Sequence, residues 1–193
     1  MKPLTIGVSG GTASGKSTFS RTLESRLSEY KVKRIKMDDY YYRPPPPVVS
    51  PITQESRPDF NSPGAADYEK PLNLIKTIQA DCSFDVIIAE GVFLFCYDEM
   101  RPLFDLKIFI DLDADTRMYR RIRRNTDNFT LPPEGERSIE SNFEYYLHFA
   151  KFQEKKFSLP SVVYADIILN GYKLDGIAVD ILIAWIERRL QKI

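Results

Sequence analysis

The sequence predicts an α/β fold in which a parallel sheet of five strands carries helices on both faces. Two observations support this prediction. Continuous apolar runs, typical of strands buried on both faces, alternate with segments of helical periodicity. A glycine-rich motif of the form G-x-x-x-x-G-K-S also stands between the first apolar run and the first helical segment. In such sheets ligands bind at the carboxyl ends of the strands, and we expect the functional site there.

Each predicted strand is an apolar run that ends where polar residues begin. The five runs are followed by segments with helical spacing, as in Phe19, Leu23 and Leu27 of the first helix. The predicted strands cover residues 4–8, 34–37, 85–89, 106–110 and 166–169. The predicted helices cover about residues 17–30, 68–79, 115–124, 138–157 and 174–190.

Two proline-rich segments interrupt this alternation and are predicted as loops. Residues 43–66 contain seven prolines and form a predicted substrate-side loop, while residues 125–137 contain little apolar content. The second loop extends an arginine-rich lid region predicted over residues 115–137. A chain of 193 residues fits one domain with room for a substantial core, so residues 1–193 are predicted to be a single domain.

The composition excludes several classes of protein. Lys plus Arg and Asp plus Glu both number 27, and this balance gives no support for nucleic acid as a partner. One His and two Cys residues cannot build a metal cluster, and neither a signal peptide nor a membrane-spanning stretch is apparent. We therefore expect a cytoplasmic protein with a small-molecule partner and no membrane contact, and the sequence leaves open whether it is a homo-oligomer.

The glycine-rich motif is a phosphate-binding loop in its expected setting, between a strand and a helix. Its backbone N–H groups can close around a polyphosphate, and the next helix adds its positive N-terminal end. Lys16 can reach the β and γ phosphates, and the Ser17 hydroxyl can ligate Mg²⁺. The predicted cofactors are therefore ATP and Mg²⁺, held by Gly10, Gly11, Thr12, Ala13, Ser14, Gly15, Lys16, Ser17 and Thr18.

Acidic residues end two of the predicted strands. Asp38 and Asp39 close the second strand, and Glu90 closes the third. Glu90 can hold Mg²⁺ or its water shell, and Asp38 can accept the proton of an attacking hydroxyl. The alternative is that these acids simply face solvent.

Four arginines have the spacing of a single helix face, namely Arg117, Arg120, Arg121 and Arg124. Asp113 or Asp115 can cap this helix. Guanidinium groups that share a face repel each other unless an anion lies between them, and a phosphoryl group in transfer is such an anion. A solvated basic face, or one that binds RNA, is the alternative. The aromatic run Tyr40-Tyr41-Tyr42, with Phe60, can either stack on a base or pack within the loop.

These motifs resemble the uridine–cytidine kinases of the phosphoribulokinase/uridine kinase group over most of the chain. The resemblance rests on the phosphate loop, on Met37-Asp38-Asp39-Tyr40-Tyr41, on Glu90-Gly91-Val92-Phe93, and on the segments 111–124 and 159–168. It implies a P-loop kinase fold and ATP-dependent phosphorylation of the 5′-hydroxyl of uridine or cytidine. It gives Asp38 the role of catalytic base.

The resemblance and the motifs together define the predicted site residues. Catalysis is assigned to Asp38, Lys16, Arg121 and Arg124, and metal binding to Ser17 and Glu90. Acceptor binding is assigned to Asp38, Tyr41, Phe60, Asn61, Arg117, Arg121 and Arg137. Asn61 takes the position of the family's ribose-binding Asp, and Arg137 stands in for an arginine of the family's lid.

One departure from the family pattern concerns recognition of the acceptor. Family members carry a hairpin between the second helix and the third strand that contacts the pyrimidine, and this chain has only residues 80–84 there. A kinase for another metabolite, such as nicotinamide riboside, is therefore an alternative. A nucleotide-gated switch and a scaffold without kinase activity are others, although the chain has no Asn-Lys-x-Asp sequence for guanine recognition.

Overall fold

The computed structural model describes residues 2–127 and 139–191, and it confirms the predicted α/β fold. Five parallel strands form one sheet in the order β2-β5-β1-β6-β7. A separate two-stranded sheet pairs β3 with β4 in antiparallel orientation. The strands are β1 Leu4–Gly10, β2 Val32–Lys36, β3 Pro47–Val49, β4 Ser56–Pro58, β5 Val86–Glu90, β6 Leu106–Asp111 and β7 Ile167–Asn170.

Helices lie along the chain between these strands. The α-helices are α1 Lys16–Arg26, α2 Glu69–Asp81, α3 Ala114–Asp127, α4 Ile139–Tyr145, α5 Lys151–Gln153 and α6 Ile177–Gln191. Turns of 3₁₀ type cover Met37–Tyr40, Pro63–Ala65, Leu94–Cys96, Arg101–Leu103 and Leu159–Tyr164, and π turns cover Tyr146–Ala150 and Glu154–Ser158. Of the helices in the two described ranges, none combines the length and the apolar character that a membrane crossing requires.

The sheet separates two apolar cores. On one face, α1 and α6 cover β1 and β6 with fully buried side chains such as Phe19 and Leu23. On the other face, Ile75 of α2 and Phe95 pack against β5. Burial on both faces explains why the strands read as continuous apolar runs. It also leaves the carboxyl ends of the strands as the sheet edge where polar groups can gather.

Several predicted element limits differ from the structure by a few residues. The first helix was expected to reach residue 30 but ends at Arg26, because the chain there turns toward β2. The last helix begins at Ile177 rather than near residue 174. The helix predicted over residues 138–157 continues through π turns to Ser158.

Residues 43–66 are more ordered than the predicted loop, because they contain the β3–β4 hairpin. Ser50 closes the hairpin turn, since its Oγ accepts hydrogen bonds from the backbone N–H groups of Ile52 and Thr53. Val48 of β3 packs on an apolar cluster of α4 and the following π turn that includes Tyr145. The hairpin therefore fixes the residues that follow it, 59–62, against that helical segment.

Candidate active site

A cavity of about 1140 Å³ opens where β1, β2, β5 and β7 end. Most of the residues that line it follow the carboxyl ends of these strands or lie on α1 and α3. This is the edge of the sheet at which the sequence predicts the site, and the cavity is large enough to hold two small molecules together.

The phosphate loop forms one wall of the cavity. Gly10, Ala13 and Gly15 have φ values of 143°, 57° and 107°, and these turns of the backbone curl the loop ahead of α1. Six of the nine predicted loop residues line the cavity: Thr12, Ala13, Gly15, Lys16, Ser17 and Thr18. Gly10, Gly11 and Ser14 lie behind them, and all three are buried.

Lys16 lies at the base of the cavity with only 8% of its surface exposed. Its Nζ donates a hydrogen bond to the carbonyl oxygen of Gly11 at 2.8 Å, so that the side chain spans the loop. Burial lowers the pKa of Lys16 from 10.5 to about 8, while the carboxylates of Asp38 and Glu90 oppose this fall. Burial therefore destabilises the charged form of Lys16. An anionic ligand beside the ammonium group would stabilise this form.

Arg117 does not face the cavity, contrary to our expectation for the arginine face. Its Nη1 donates to Oε2 of Glu154 at 2.7 Å in an almost fully buried ion pair, and its Nε donates to the carbonyl oxygen of Leu112 at 2.9 Å. The helical spacing correctly indicated that this guanidinium needs an anion. The anion is a carboxylate of the protein itself, that of Glu154. The guanidinium lies directly over Gly11.

Gly11 leaves the space that Arg117 occupies. A Cβ on Gly11 would lie 2.3 Å from Nη1 and 2.7 Å from Cζ of Arg117. We expect G11A to destabilise the fold by about 1–3 kcal/mol, because the buried pair must move. For a chain of this size that lowers Tm by roughly 2–4 °C per kcal/mol, measurable by calorimetry. G64A is the matched control, because a Cβ there would lie 3.9 Å from Oγ of Ser62, an ordinary contact distance. Equal melting temperatures for the two variants would contradict the prediction.

The other three arginines of the predicted face reach the cavity. Asp113 caps this helix, since its Oδ1 accepts a hydrogen bond from the N–H of Thr116 at 2.8 Å. Arg120, Arg121 and Arg124 all line the cavity wall. Desolvation and the neighbouring Arg121 lower the pKa of Arg124, while Asp38 opposes the fall. The arginines that face the cavity thus present positive charge toward Lys16 and Asp38.

Two acids face this positive charge from the ends of β2 and β5. Asp38 lies in the 3₁₀ turn after β2, and its side chain is exposed in the cavity. Glu90 is 3% exposed at the last position of β5, and its Oε1 accepts a hydrogen bond from Nη1 of Arg34 at 3.1 Å. Asp39 also lines the cavity. The strand-end acids thus lie in the cavity instead of on an outer surface.

Tyr41, Phe60 and Asn61 form the wall beside Asp38. The Tyr41 hydroxyl donates to the Phe60 carbonyl at 3.0 Å, and the two rings meet edge to face with centroids 5.9 Å apart. Asn61 is buried, and its Oδ1 accepts a hydrogen bond from Nη1 of Arg121 at 3.0 Å. Its Nδ2 donates to the hydroxyl of Tyr145 at 2.9 Å. Arg137, the remaining predicted site residue, lies outside the described residues.

Glu154 and Arg34 are site residues that the sequence did not indicate. Glu154 lines the cavity, and Arg34 holds Glu90 while its Nε donates to Glu24 at 2.8 Å. Glu154 stands among lysines in a predicted helix, and Arg34 begins a predicted strand. Neither belongs to a motif, because the partner of each lies far away along the chain.

The fold and the phosphate loop together place the chain in the P-loop NTPase class. Comparison with known proteins then gives the family. Residues 73–177 match the family model described as Phosphoribulokinase / Uridine kinase family. A uridine kinase of Clostridium botulinum (strain Okra / Type B1) is 30% identical over 214 residues, which cover 99% of both chains. The chain belongs to the phosphoribulokinase/uridine kinase family.

Two further comparisons describe the extent of this likeness. The uridine/cytidine kinase UKL1, chloroplastic, of Arabidopsis thaliana is 30% identical over 98% of the chain, and the match spans only 42% of that longer relative. The crystal structure of a shikimate kinase from Bacteroides thetaiotaomicron superimposes with a TM-score of 0.56 at 16% identity, covering 98% of this chain and 97% of that one. The structural match supports the fold alone.

Proposed function

We propose that this protein transfers the γ-phosphoryl group of ATP to the 5′-hydroxyl of uridine or cytidine. The observation that carries the proposal is that one cavity is lined by Lys16, Asp38, Arg121 and Arg124. The phosphate loop supplies a binding place for the phosphate donor, and Asp38 supplies one for the acceptor hydroxyl. The two arginines face both places. The uridine kinase names of the relatives suggest the acceptor.

The donor side of the cavity runs from the phosphate loop to the end of β7. The loop amides and the N-terminus of α1 suit the β and γ phosphates, with Lys16 as the cation between them. Gly171, Tyr172 and Leu174 line the far end of the cavity, where Nη1 of Arg120 donates to the Gly171 carbonyl at 3.3 Å. We place the adenine there, beside the Tyr172 ring.

The residues present fit a magnesium ion bound together with the triphosphate. Ser17 is exposed at the start of α1, Glu90 is buried at the end of β5, and both line the cavity. A hydroxyl and a carboxylate oxygen are ligands that Mg²⁺ prefers, and Mg²⁺ in kinases keeps water and phosphate oxygens as its remaining ligands. Once bound, the ion would neutralise negative charge on the β and γ phosphates. Magnesium dependence and a cytoplasmic location are parts of this proposal.

The acceptor hydroxyl would lie against Asp38. The carboxylate takes the proton as the oxygen attacks the γ phosphorus, the bond to the β,γ-bridging oxygen breaks, and ADP leaves. Arg121 and Arg124 stabilise the negative charge on the transferred group. Tyr41, Phe60 and Asn61 enclose the nucleoside, and the hydrogen bond to Asn61 holds Arg121 in place without neutralising it.

Another nucleoside-like acceptor is a second candidate, favoured by the connection between α2 and β5. Only residues 82–85 lie between Asp81 and Val86, so this connection has no room for the pyrimidine-binding hairpin of the family. The acceptor contacts must come from the wall of Tyr41, Phe60 and Asn61 instead. Nicotinamide riboside meets the same requirement for a ribose 5′-hydroxyl.

A panel of acceptors tests both candidates. Uridine, cytidine, purine nucleosides, nicotinamide riboside and pantothenate would each be offered with ATP and Mg²⁺, with ADP release as the readout and mass spectrometry of the product. We expect turnover with uridine or cytidine. Turnover with nicotinamide riboside alone would select the second candidate. ATP hydrolysis that no acceptor accelerates would contradict a kinase and favour a nucleotide-gated switch.

The pKa of Lys16 predicts the alkaline limit of activity. The ammonium form binds the phosphates, and its pKa of about 8 means that this form is lost as pH rises through about 8. We therefore expect kcat/KM for ATP, which reports the free enzyme, to fall on the alkaline side of pH 8. A rate profile between pH 6 and pH 10 measures this. Activity that stays level to pH 10 would contradict the assignment. In K16R the guanidinium does not deprotonate, so any residual activity should lack this alkaline limb.

A further inference from the structure

Glu154 connects three separate parts of the chain at the rear of the phosphate loop. Its Oε1 accepts a hydrogen bond from the backbone N–H of Thr12 at 2.7 Å, and its Oε2 accepts one from Arg117 at 2.7 Å. The residue is 2% exposed and begins the π turn Glu154–Ser158, a departure from α-helical winding that is frequent at functional sites. The carboxylate thus contacts both the phosphate loop and Arg117 of α3.

Arg117 extends this connection into α3. Its guanidinium lies over Gly11, whose carbonyl accepts the hydrogen bond of Lys16. Residues three, four and seven positions further along the helix share its side of α3, and these are the arginines that line the cavity. The position of Arg117 therefore sets how far Arg121 and Arg124 lie from the phosphate loop.

We propose that Glu154 is a positioning residue for phosphoryl transfer. It holds the Thr12 amide and Arg117 so that the phosphate loop and α3 keep a fixed separation. This role rests on the proposed kinase function. Thr12 lines the cavity, and its N–H is turned to Glu154 and so is already satisfied by the protein. The carboxylate orients the loop without contacting the transferred group.

Four variants separate the positioning role from a purely structural one. E154Q removes the charge but keeps an oxygen for the Thr12 N–H, and it leaves a buried guanidinium unpaired. E154Q/R117M removes both charges, and so preserves the fold if E154Q is too unstable to study. E154D keeps the charge on a shorter side chain. D180N is the control, since it breaks the exposed pair of Arg26 and Asp180 at 3.0 Å.

Two measurements are needed on each full-length variant. The first is the ¹H–¹⁵N NMR signal of the Thr12 amide, which reports the hydrogen bond of this N–H to Glu154 and needs no acceptor. The second is kcat and KM with the best acceptor of the panel. We expect kcat to fall between about 10-fold and 10²-fold in E154Q and in E154Q/R117M, because displaced reacting groups lose rate steeply. The Thr12 amide signal should shift in both, because the charged acceptor of its hydrogen bond is lost, shift less in E154D, and not move in D180N.

The results distinguish this inference from the proposed function. A wild-type protein that phosphorylates no acceptor would overturn the proposed function, while a shifted Thr12 amide signal in E154Q would still show that Glu154 holds the phosphate loop. Wild-type kcat in the E154Q/R117M double variant would overturn the positioning role. A lower melting temperature in that variant would then assign the pair to folding alone.

Discussion

K16A should lower kcat by at least about 10², the loss expected when a preorganised charge is removed from a transferring phosphoryl group. Lys16 is the cation at the base of the cavity, and its Nζ lies 2.8 Å from the Gly11 oxygen. Alanine leaves the loop amides and the helix N-terminus intact. These groups still bind ATP, so we expect kcat to fall more than the affinity for ATP. The negative charge that develops during transfer is the charge that Lys16 stabilises.

The measurement is steady-state kinetics at pH 7, where Lys16 is protonated, with ATP varied at saturating acceptor. K70A is the matched control, because Lys70 pairs with Asp67 on the surface at 2.9 Å and keeps 72% of its side chain exposed. We expect K70A to match the wild type. If K16A also turned over at the wild-type rate, Lys16 would have no part in transfer, and the donor side of the proposal would be lost.

The sheet and its functional edge were predictable because they depend on patterns that are local in sequence. Continuous apolar runs identified all five strands of the large sheet, and the end of a strand places the next side chain at a known edge. Asp38 and Glu90 therefore could be assigned to one cavity. The helical spacing of Arg120, Arg121 and Arg124 likewise placed them on one side of α3.

The features that were missed depend on contacts between distant residues. The three-residue strands of the β3–β4 hairpin are too short to show a period, and proline at an end of each argues against a strand. The hairpin is ordered because Val48 packs against the apolar cluster around Tyr145. Arg117 shows the same limit: spacing identifies its side of the helix, but its partner Glu154 lies 37 residues further along the chain.

D38N should lower kcat by about 10²–10⁴, the contribution of a general base, while the affinity for ATP is retained. Asparagine has nearly the same shape and cannot take a proton from the acceptor hydroxyl. Asp38 lies exposed in the cavity after β2, and its carboxylate also raises the pKa of Lys16. The substitution therefore has a second effect, because it moves the alkaline limb of the pH profile to lower pH.

These two effects can be separated by pH. A loss of kcat that persists in D38N at the acid end of its profile, where a further fall in pH no longer raises the rate, reports the missing base, because Lys16 is protonated there in both proteins. D39N is the comparison, because Asp39 is the neighbouring acid and also lines the cavity. We expect D39N to retain most of the activity. The opposite result, with D39N inactive and D38N active, would move the role of base to Asp39. Two active variants would show that transfer does not depend on the Asp38 carboxylate.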